Sequence, residues 1–394
     1  MPESGSQSRL AHQLAPIPAH ERVGIVLSGG GSRAAYQVGA LKAHLPYIKS
    51  RQAKVSVIVG SSMGALNGII LGGCLRAGLD EAVGELELLW RERTYRNTFA
   101  GSPTKAFLRA LSVAILKYTS PGPEATNRAI FDPTPLTKRV DEALTRHGGL
   151  TTQNRHPELD AVAVMTTVEG SQRRPLLFVS ARSNFDRHYL DGVSFDVSYV
   201  DSLSAKHGLA SAALPSVLPP VELDIEHGKV RLVDGGICEN IPVDPAVRLG
   251  ATNVILLDIS GRTWWHDRFG HAHDTRPSWE IPAASDTFCV RPAVTTVMRN
   301  QSGLGQLLKD VVSLSRRDFI EALGPTWPVF SILRRRMGEE LAYEVMSYVA
   351  LHPEYISALI EQGYQETKAC ISAHIGSAET ETTDSKILKI ASGK

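Results

Sequence analysis

Short apolar runs alternate with longer stretches in which apolar residues recur at helical spacing, from about residue 21 to residue 300. The first kind of segment is typical of buried strands and the second of helices with one apolar face. The strand-like runs are RVGIVLS (22–28), KVSVIVG (54–60), ELDAVAVMTTV (158–168), RRPLLFVS (173–180), GKVRLVDGG (228–236) and ATNVILLDIS (251–260). The clearest helix-like segments are AAYQVGALKAHL (34–45) and MGALNGIILGGCLRAG (63–78). Strands that alternate with helices predict an α/β fold with a mostly parallel sheet.

The same pattern predicts how the chain is organised. Residues 1–20 and 377–394 are polar and aperiodic, so we expect them to be flexible tails. The main α/β domain is expected to span residues 21–300, with a helical insertion at about 90–150. Residues 301–376 have the pattern of helices, which we expect to pack against the main domain as a C-terminal extension.

Overall charge and composition exclude several classes of function. The chain has 394 residues, a formal net charge of +1 and 43% hydrophobic residues, which is enough for a sizeable core. The near-zero charge argues against nucleic-acid binding, which favours a basic excess. No stretch approaches the roughly 18–20 apolar residues of a membrane span, and the N-terminus lacks a signal-peptide core. We therefore expect a cytoplasmic protein, with peripheral membrane contact and the oligomeric state left open.

A Gly-x-Ser-x-Gly motif follows the second predicted strand and precedes the second predicted helix. Its serine is Ser62, between Gly60 and Gly64. Many hydrolases present a nucleophile on such a turn, because the glycines let strand and helix approach closely. The neighbouring Ser61 lacks a glycine two positions away on both sides, so the register favours Ser62. The alternative is a tight turn without a catalytic role.

A glycine run follows the first predicted strand and consists of Gly29, Gly30 and Gly31. Their amides predict a site for an anion, which is either a phosphate or the oxyanion of an acyl-transfer intermediate. With Ala34 the run fits a dinucleotide-binding fingerprint, but no acidic residue occurs in positions 22–79 to hold a ribose. An oxyanion hole is therefore favoured. Arg33 either adds positive charge to this site or lies on a helix surface.

Asp234 ends an apolar strand and is followed by Gly235 and Gly236. Catalytic groups of α/β proteins lie at the C-terminal edge of the parallel sheet, where this carboxylate is expected. Within hydrogen-bond reach of Ser62 it would serve directly as a general base. The alternative is an aspartate that caps a turn before two glycines.

Taken together, these motifs resemble those of the patatin-like phospholipases, a family of lipid acyl hydrolases. The resemblance runs from about residue 24 to residue 260, and its motifs are GGGSR, GSSMGALNG, ASAALPSVLPPVEL, DGGICENIPV and RLGATNVILL. It implies a three-layer α/β/α fold, related to the α/β hydrolases, with a mostly parallel central sheet. It also implies hydrolysis of fatty-acyl esters of phospholipids or other lipids, without a metal or cofactor.

The resemblance also assigns roles to individual residues. Ser62 would be the nucleophile and Asp234 the base of a Ser–Asp dyad, and the reaction would pass through an acyl-enzyme. The backbone amides of the glycine run would form the oxyanion hole. The segment 210–220 would support the site, and Asn240 and Pro242 would fix the turn after the aspartate. Ala34 departs from the family pattern, which has glycine there, so the loop would be reshaped if that position needs a positive φ.

Two other functions stay open at this stage. A Ser-Asp-His triad would draw its histidine from the cluster at His266, His271 and His273, which follows Asp234 in the chain. A non-catalytic scaffold that binds lipid or a protein partner is the second alternative. The four cysteines lie far apart, which suits reduced thiols and matches no zinc-site spacing: Cys74, Cys238, Cys289 and Cys370.

Two segments bear on contact with a lipid surface. The segment 105–118 places large apolar residues on one side of a predicted helix, which fits either a core helix or a lid over an acyl groove. The run Arg334–Arg335–Arg336 is able to meet lipid phosphates, or to pair with the nearby Glu339 and Glu340.

Overall fold

A computed structural model describes residues 21–101, 105–109, 129–170, 173–190, 193–226, 228–259, 293–299, 303–313 and 315–391. The predicted tail at 1–20, the histidine cluster at 266–273 and residues 110–118 of the predicted helix lie outside the described residues. The fold is α/β, with helices flanking a mostly parallel central sheet, which confirms the fold class predicted from the sequence.

The strands alternate with helices along the chain, as the apolar runs predict. In chain order they are β1 (Arg22–Leu27), β2 (Lys54–Ser61), β3 (Leu150–Thr151), β4 (Ala161–Val168), β5 (Arg174–Ala181), β6 (Asp196–Tyr199), β7 (Ser202–Leu203), β8 (Val221–Ile225), β9 (Gly228–Val233), β10 (Asn253–Asp258) and β11 (Ala293–Arg299). In the part of the chain that the structure describes, nine of them form the central sheet, and its main path is β11-β10-β1-β2-β4-β5-β6.

The pairing directions decide which strand ends meet. β10, β1, β2 and β4 are parallel neighbours, so their C-terminal ends lie at one edge of the sheet. β9 runs antiparallel to β4, with Val233 opposite Thr167. Asp234 therefore reaches this C-terminal edge from a strand outside the parallel set, which the apolar pattern does not distinguish from a parallel strand.

The strands are apolar throughout because both faces of the sheet are covered. Successive side chains point to opposite faces. Ile25 and Leu27 accordingly belong to one apolar cluster, and Val26 belongs to the other. The two clusters form the cores between the sheet and its flanking helices.

The helices, in chain order, are α1 (Ala35–Ser50), α2 (Met63–Cys74), α3 (Leu79–Arg91), α4 (Tyr95–Thr98), α5 (Thr134–Arg146), α6 (Ala205–Ser211), α7 (Val243–Arg248), α8 (Leu304–Val312), α9 (Arg316–Leu323), α10 (Trp327–Met337), α11 (Glu339–Met346) and α12 (Pro353–Ala391). The larger apolar cluster includes residues of α1, α2, α3 and α12, whereas α7 covers the opposite face.

The C-terminal helix α12 packs along α1, which starts at the end of the glycine run. A Cβ atom at Gly39 would lie 1.8 Å from the carbonyl oxygen of Ile360, so the two backbones are in direct contact. The Tyr36 hydroxyl donates to a carboxylate oxygen of Glu366 at 2.5 Å. The helix continues to Ala391, so it includes residues 377–391 of the segment that the sequence predicts to be a flexible tail.

Candidate active site

Ser62 occupies the turn between β2 and α2. Its φ of 53° and ψ of −131° are unusual for a residue other than glycine, which is typical of strain at functional sites. The flanking glycines permit this turn, because a Cβ at Gly60 would lie 2.4 Å from the Gly64 carbonyl oxygen. A Cβ at Gly64 would lie 2.3 Å from the Leu27 carbonyl oxygen. The Gly-x-Ser-x-Gly motif therefore lets the turn of Ser62 pack in direct contact with the end of β1.

The backbone amide of Ser62 is held by a second serine. It donates to Ser211 Oγ at 2.7 Å, and the Ser211 hydroxyl donates to the Met165 carbonyl oxygen at 2.5 Å. Ser211 ends α6 and is fully buried. The link ties the turn of Ser62 to β4 and explains how the segment 210–220 contacts the site.

Asp234 contacts Ser62 directly. Ser62 Oγ lies 2.7 Å from Asp234 Oδ2, and the hydroxyl donates to the carboxylate. The Gly236 amide donates to the other carboxylate oxygen at 2.8 Å. The backbone of Asp234 is fixed too, since its amide donates to the Ala213 carbonyl oxygen at 3.0 Å. A small backbone loop thus aims the carboxylate at the serine.

The environment of Asp234 makes its carboxylate a stronger base. Only 5% of the residue is exposed, and burial raises the pKa from 3.8 to about 6. The hydrogen bonds from Ser62 and Gly236 favour the charged form and lower the pKa, but burial outweighs them. The group is therefore mostly ionised at neutral pH, with a proton affinity above that of an exposed aspartate.

The glycine run lies beside Ser62, but its three amides are not equivalent. A Cβ at Gly29 would lie 2.7 Å from Ser62 Cβ, so the loop touches the serine. The Gly29 amide donates to the Asn240 carbonyl oxygen at 3.3 Å, whereas the amides of Gly30 and Gly31 meet no acceptor among the described residues. Of the three amides that the resemblance assigns to an oxyanion hole, the Gly29 amide is therefore already engaged in the fold.

Arg33 takes neither of the places that the sequence analysis considers. Its side chain is completely buried, which excludes a position on the helix surface. Nε donates to Ser347 Oγ at 2.7 Å, and Nη2 lies 2.5 Å from Glu344 Oε1. The guanidinium also stacks on the Tyr348 ring, with its carbon 3.9 Å from the ring centroid. Its charge is therefore directed at the C-terminal extension.

Ala34 fits the loop without strain. Its φ of −62° and ψ of −12° are helical values, as expected for a residue at the start of α1. A positive φ is found instead at Gly31, where φ is 59°. The alanine that departs from the family pattern therefore does not reshape the glycine run.

The turn after Asp234 packs against the other motifs. A Cβ at Gly235 would lie 2.1 Å from the Met165 carbonyl oxygen. A Cβ at Gly236 or at Gly29 would lie within about 2.5 Å of Asn240 Oδ1, so this side chain sits between the two glycine-containing turns. Pro242 directly precedes α7. Gly236 and Asn240 thus lie close to Asp234 and to the glycine run.

The sequence did not reveal several residues that fix the backbone of the site through hydrogen bonds. Ser211 lies in the motif ASAALPSVLPPVEL, but nothing in the sequence pattern indicates a role for its hydroxyl. Glu344, Ser347 and Tyr348 lie more than 300 positions from Arg33, and their local sequence carries no catalytic signal. Only the fold brings them together.

Two further observations concern metal binding and membrane-spanning helices. No group of His, Cys, Asp and Glu side chains suited to a metal ion occurs among the described residues. In the same part of the chain, none of the helices combines the length and the apolar character needed to cross a bilayer.

The sequence motifs agree with one family. The model of the patatin-like phospholipases matches residues 25–247, which is more than half of the chain. The chain belongs to the patatin-like phospholipase family. Membership confirms the resemblance found in the sequence, and it supports lipid acyl hydrolysis as the general class of activity. No curated protein matches the chain by sequence.

Several solved structures are similar at low sequence identity. VipD from Legionella pneumophila is 13% identical with a TM-score of 0.34, over 91% of this chain and 68% of VipD. Human GIVD cytosolic phospholipase A2 is 11% identical with a TM-score of 0.35, over 93% of this chain and 64% of the human chain. The type III effector ExoU of Pseudomonas aeruginosa is 15% identical with a TM-score of 0.33, over 91% and 54%. This patatin-like chain therefore spans about half to two thirds of their lengths.

Proposed function

We propose that this patatin-like protein hydrolyses fatty-acyl esters of phospholipids or related lipids, with Ser62 as nucleophile and Asp234 as general base. The observation that carries the proposal is the direct 2.7 Å hydrogen bond from Ser62 Oγ to Asp234 Oδ2. A serine hydroxyl needs an adjacent base to attack an ester at neutral pH. A buried carboxylate with a raised pKa supplies that base.

The reaction proceeds in two halves. Ser62 Oγ attacks the ester carbonyl carbon while Asp234 Oδ2 takes its proton. The bond to the alcohol breaks, the leaving oxygen takes the proton from Asp234, and the acyl group stays on Ser62. Water then gives a proton to Asp234 and attacks the acyl-serine, which releases the fatty acid and returns the proton to Ser62. The proposed cycle uses no metal or cofactor.

The glycine run supplies the oxyanion hole in this mechanism. We assign the donors to the amides of Gly30 and Gly31, because the Gly29 amide is bonded to Asn240. Fixed donors aimed at the developing oxyanion are worth about 10²–10³ in rate each. Gly29 contributes by its lack of a side chain, which leaves room beside Ser62.

The geometry favours the dyad over the alternatives. A triad places an imidazole between serine and aspartate, and a 2.7 Å contact leaves no space for one. A non-catalytic scaffold would be favoured if Ala34 distorted the glycine run, but its φ of −62° is an ordinary helical value. Hydrolysis of lipid esters through the dyad is therefore the function that these contacts support best.

Contact with a lipid surface fits the outer face of α9 and α10. Trp327 is 45% exposed and Ile332 is 50% exposed, and both belong to α10. The adjacent run Arg334–Arg336 is exposed and forms no ion pair among the described residues, since Glu339 pairs with Lys309 at 3.0 Å. We propose that this face, Ile320 to Arg336, meets the membrane surface from which substrate is drawn.

Products released from lipid vesicles test the proposed function. Wild-type protein should release fatty acids, identified by mass, and a fluorophosphonate probe should label Ser62. Ser62→Ala should abolish both signals, and Asp234→Asn should abolish turnover while the fold persists.

Ser61→Ala provides the matched control. The Ser61 hydroxyl donates to the Glu239 carbonyl oxygen at 2.9 Å and does not contact Asp234, so its loss should leave turnover largely intact. Turnover retained by Asp234→Asn would refute the dyad. Absence of any fatty-acid release by the wild type would refute the proposed function.

A further inference from the structure

The glycine run is anchored at both ends, and the second anchor lies outside the region that the family model matches. At the first end, the Gly29 amide donates to Asn240, and the Ser28 hydroxyl donates to the Leu257 carbonyl oxygen at 3.2 Å. At the second end, Ser32 and Arg33 contact residues 344–348 of the C-terminal extension. The amides of Gly30 and Gly31 lie between these two anchors.

Three consecutive residues make the second anchor. A Cβ at Gly31, whose φ is 59°, would lie 2.1 Å from the Tyr348 carbonyl oxygen, so the loop and the extension are in backbone contact. The Ser32 amide donates to that same oxygen at 2.8 Å. Arg33 Nη2 donates to the Glu344 carbonyl oxygen at 2.8 Å and to its carboxylate at 2.5 Å.

Hydrogen bonds within the C-terminal extension also orient the groups that contact Arg33. The Ser347 hydroxyl, which accepts from Arg33 Nε, donates to the Glu344 carbonyl oxygen at 2.6 Å. The second carboxylate oxygen of Glu344 accepts from the Gly305 amide at 3.0 Å. Glu344 is thus oriented by α8 on one side while it holds Arg33 on the other.

The charge of Arg33 makes its contact with Glu344 important for the position of the glycine run. A buried guanidinium without a counter-ion is strongly unfavourable, so loss of Glu344 drives Arg33 to move toward water or another acceptor. Arg33 follows Gly31 by two residues, and its displacement carries the loop with it. Donors displaced by even an ångström lose much of their effect on the transition state.

We infer that Glu344 is a positioning residue for the oxyanion hole, and that the 344–348 segment acts as a clamp that holds Gly30 and Gly31 in place through Arg33. The clamp rests on the proposed function for its effect on the rate. Its effect on the loop is a property of the fold alone. The segment 344–348 therefore positions the oxyanion hole, although the family model ends at residue 247.

Glu344→Gln tests the clamp in the full-length protein, because it keeps the shape of the side chain and removes the charge. We expect kcat on a soluble fatty-acyl ester to fall about tenfold to a hundredfold with little change in KM, since the lost interaction acts on the transition state. Amide hydrogen exchange in residues 30–33 should become faster, while exchange in β1 and β2 stays the same.

Glu339→Gln is the matched control. Glu339 lies on the same helix as Glu344, and its carboxylate is paired with Lys309 at 3.0 Å. The two substitutions remove the same charge, but only one acts on a partner of the glycine run. Glu339→Gln should therefore leave both kcat and the exchange of residues 30–33 unchanged.

Ser347→Ala is the second variant, for the case in which Glu344→Gln does not fold. It removes the acceptor of Arg33 Nε and keeps the ion pair, so we expect a smaller change in the same two measurements. Unchanged kcat and unchanged loop exchange in a folded variant would overturn the clamp. Inactive wild-type protein would refute the proposed function instead, and the exchange measurement would still decide whether the loop is clamped.

Discussion

The buried carboxylate of Asp234 lowers the stability of the fold at neutral pH, because little water reaches its negative charge. Burial raises its pKa from 3.8 to about 6. Because the folded value exceeds the unfolded one, the group stabilises the fold most below about pH 4, and this contribution is lost as the pH rises through about 6. The fold thus tolerates some destabilisation at neutral pH to keep an ionised base beside Ser62.

The pH dependence of catalysis should follow this pKa. Asp234 accepts a proton only when it is ionised, so kcat/KM should be constant above about pH 6 and fall about tenfold per unit below it. The measurement is a kcat/KM profile on a soluble ester whose own ionisation lies elsewhere. An acidic limb near the ordinary aspartate value of 3.8 would contradict the influence of burial.

Ser211 should matter for catalysis although it does not touch the carboxylate. Ser211→Ala leaves the Ser62 amide and the Met165 carbonyl without their partner, which should cost about 1–3 kcal/mol of unfolding free energy. The strained backbone of Ser62 should relax, so kcat should fall as well. Unfolding curves and steady-state kinetics measure the two effects.

Ser216→Ala is the control for that substitution. Ser216 is also a buried serine, but its hydroxyl makes no hydrogen bond among the described residues. Removal of this hydroxyl should change kcat and stability little. Equal losses in the two variants would show that the hydrogen bonds of Ser211 have no special role.

At the scale of elements, the packing of α12 on α1 connects the C-terminal extension to the catalytic domain. The close approach depends on glycines, because Gly39 faces the Ile360 carbonyl oxygen and Gly363 faces that of Tyr36. The hydrogen bond from Tyr36 to Glu366 adds a polar contact beside this crossing. Since α1 starts at the glycine run, this contact contributes to the rigidity of the loop.

Gly39→Ala should disrupt this helix pair. Its Cβ would lie 1.8 Å from a backbone oxygen, so the helices must separate, at a cost of about 2 kcal/mol or more. Gly84→Ala in α3 is the comparison, because nothing lies within 4 Å of its Cβ position. That change should raise stability by about 0.5–1 kcal/mol through helix propensity. Denaturant unfolding of both variants tests the prediction, which fails if Gly39→Ala is not the less stable protein.

At the scale of the whole molecule, three of the six large apolar side chains that are exposed among the described residues belong to α9 and α10 of the extension. The large apolar residues exposed there are Ile320, Trp327 and Ile332. The exposed arginines beside them would meet the headgroups of an anionic membrane, while the apolar side chains would enter its interface. A hydrolase whose substrate lies in a bilayer gains from such a surface, because substrate is then always near the site.

Removal of the basic charge should weaken this contact. Arg334→Gln, Arg335→Gln and Arg336→Gln combined should lower affinity for phosphatidylserine-containing vesicles about a hundredfold, at about 1 kcal/mol per basic residue. Vesicle flotation at fixed salt measures this, with pure phosphatidylcholine vesicles for comparison.

A charge-matched triple variant separates a local surface from a general effect of charge. Lys138→Gln, Lys229→Gln and Lys368→Gln remove three positive charges from three other elements: α5, β9 and α12. This protein should bind anionic vesicles as the wild type does. Equal weakening in both triple variants would mean that net charge, and not this face, controls the binding.

The sequence by itself determined the local structure of the site. The strand–turn–helix context of Ser62, the glycine run and the turn at Asp234 all follow from short stretches in which apolar periodicity and glycine act on neighbouring residues. The order of these motifs was also sufficient to recognise the family and its α/β fold. Such features are readable because the interactions that produce them lie within a few residues.

Only the tertiary structure decided how the motifs meet. Ser62 and Asp234 are 172 positions apart, and their contact depends on an antiparallel β9 that the apolar pattern does not distinguish from a parallel strand. Arg33 meets Glu344 across 311 positions, and the Gly29 amide is occupied by Asn240. The charge and size of a side chain follow from the sequence, but its partner depends on the packing of the whole chain. The reason is that a buried polar group forms hydrogen bonds with the groups that the fold places near it.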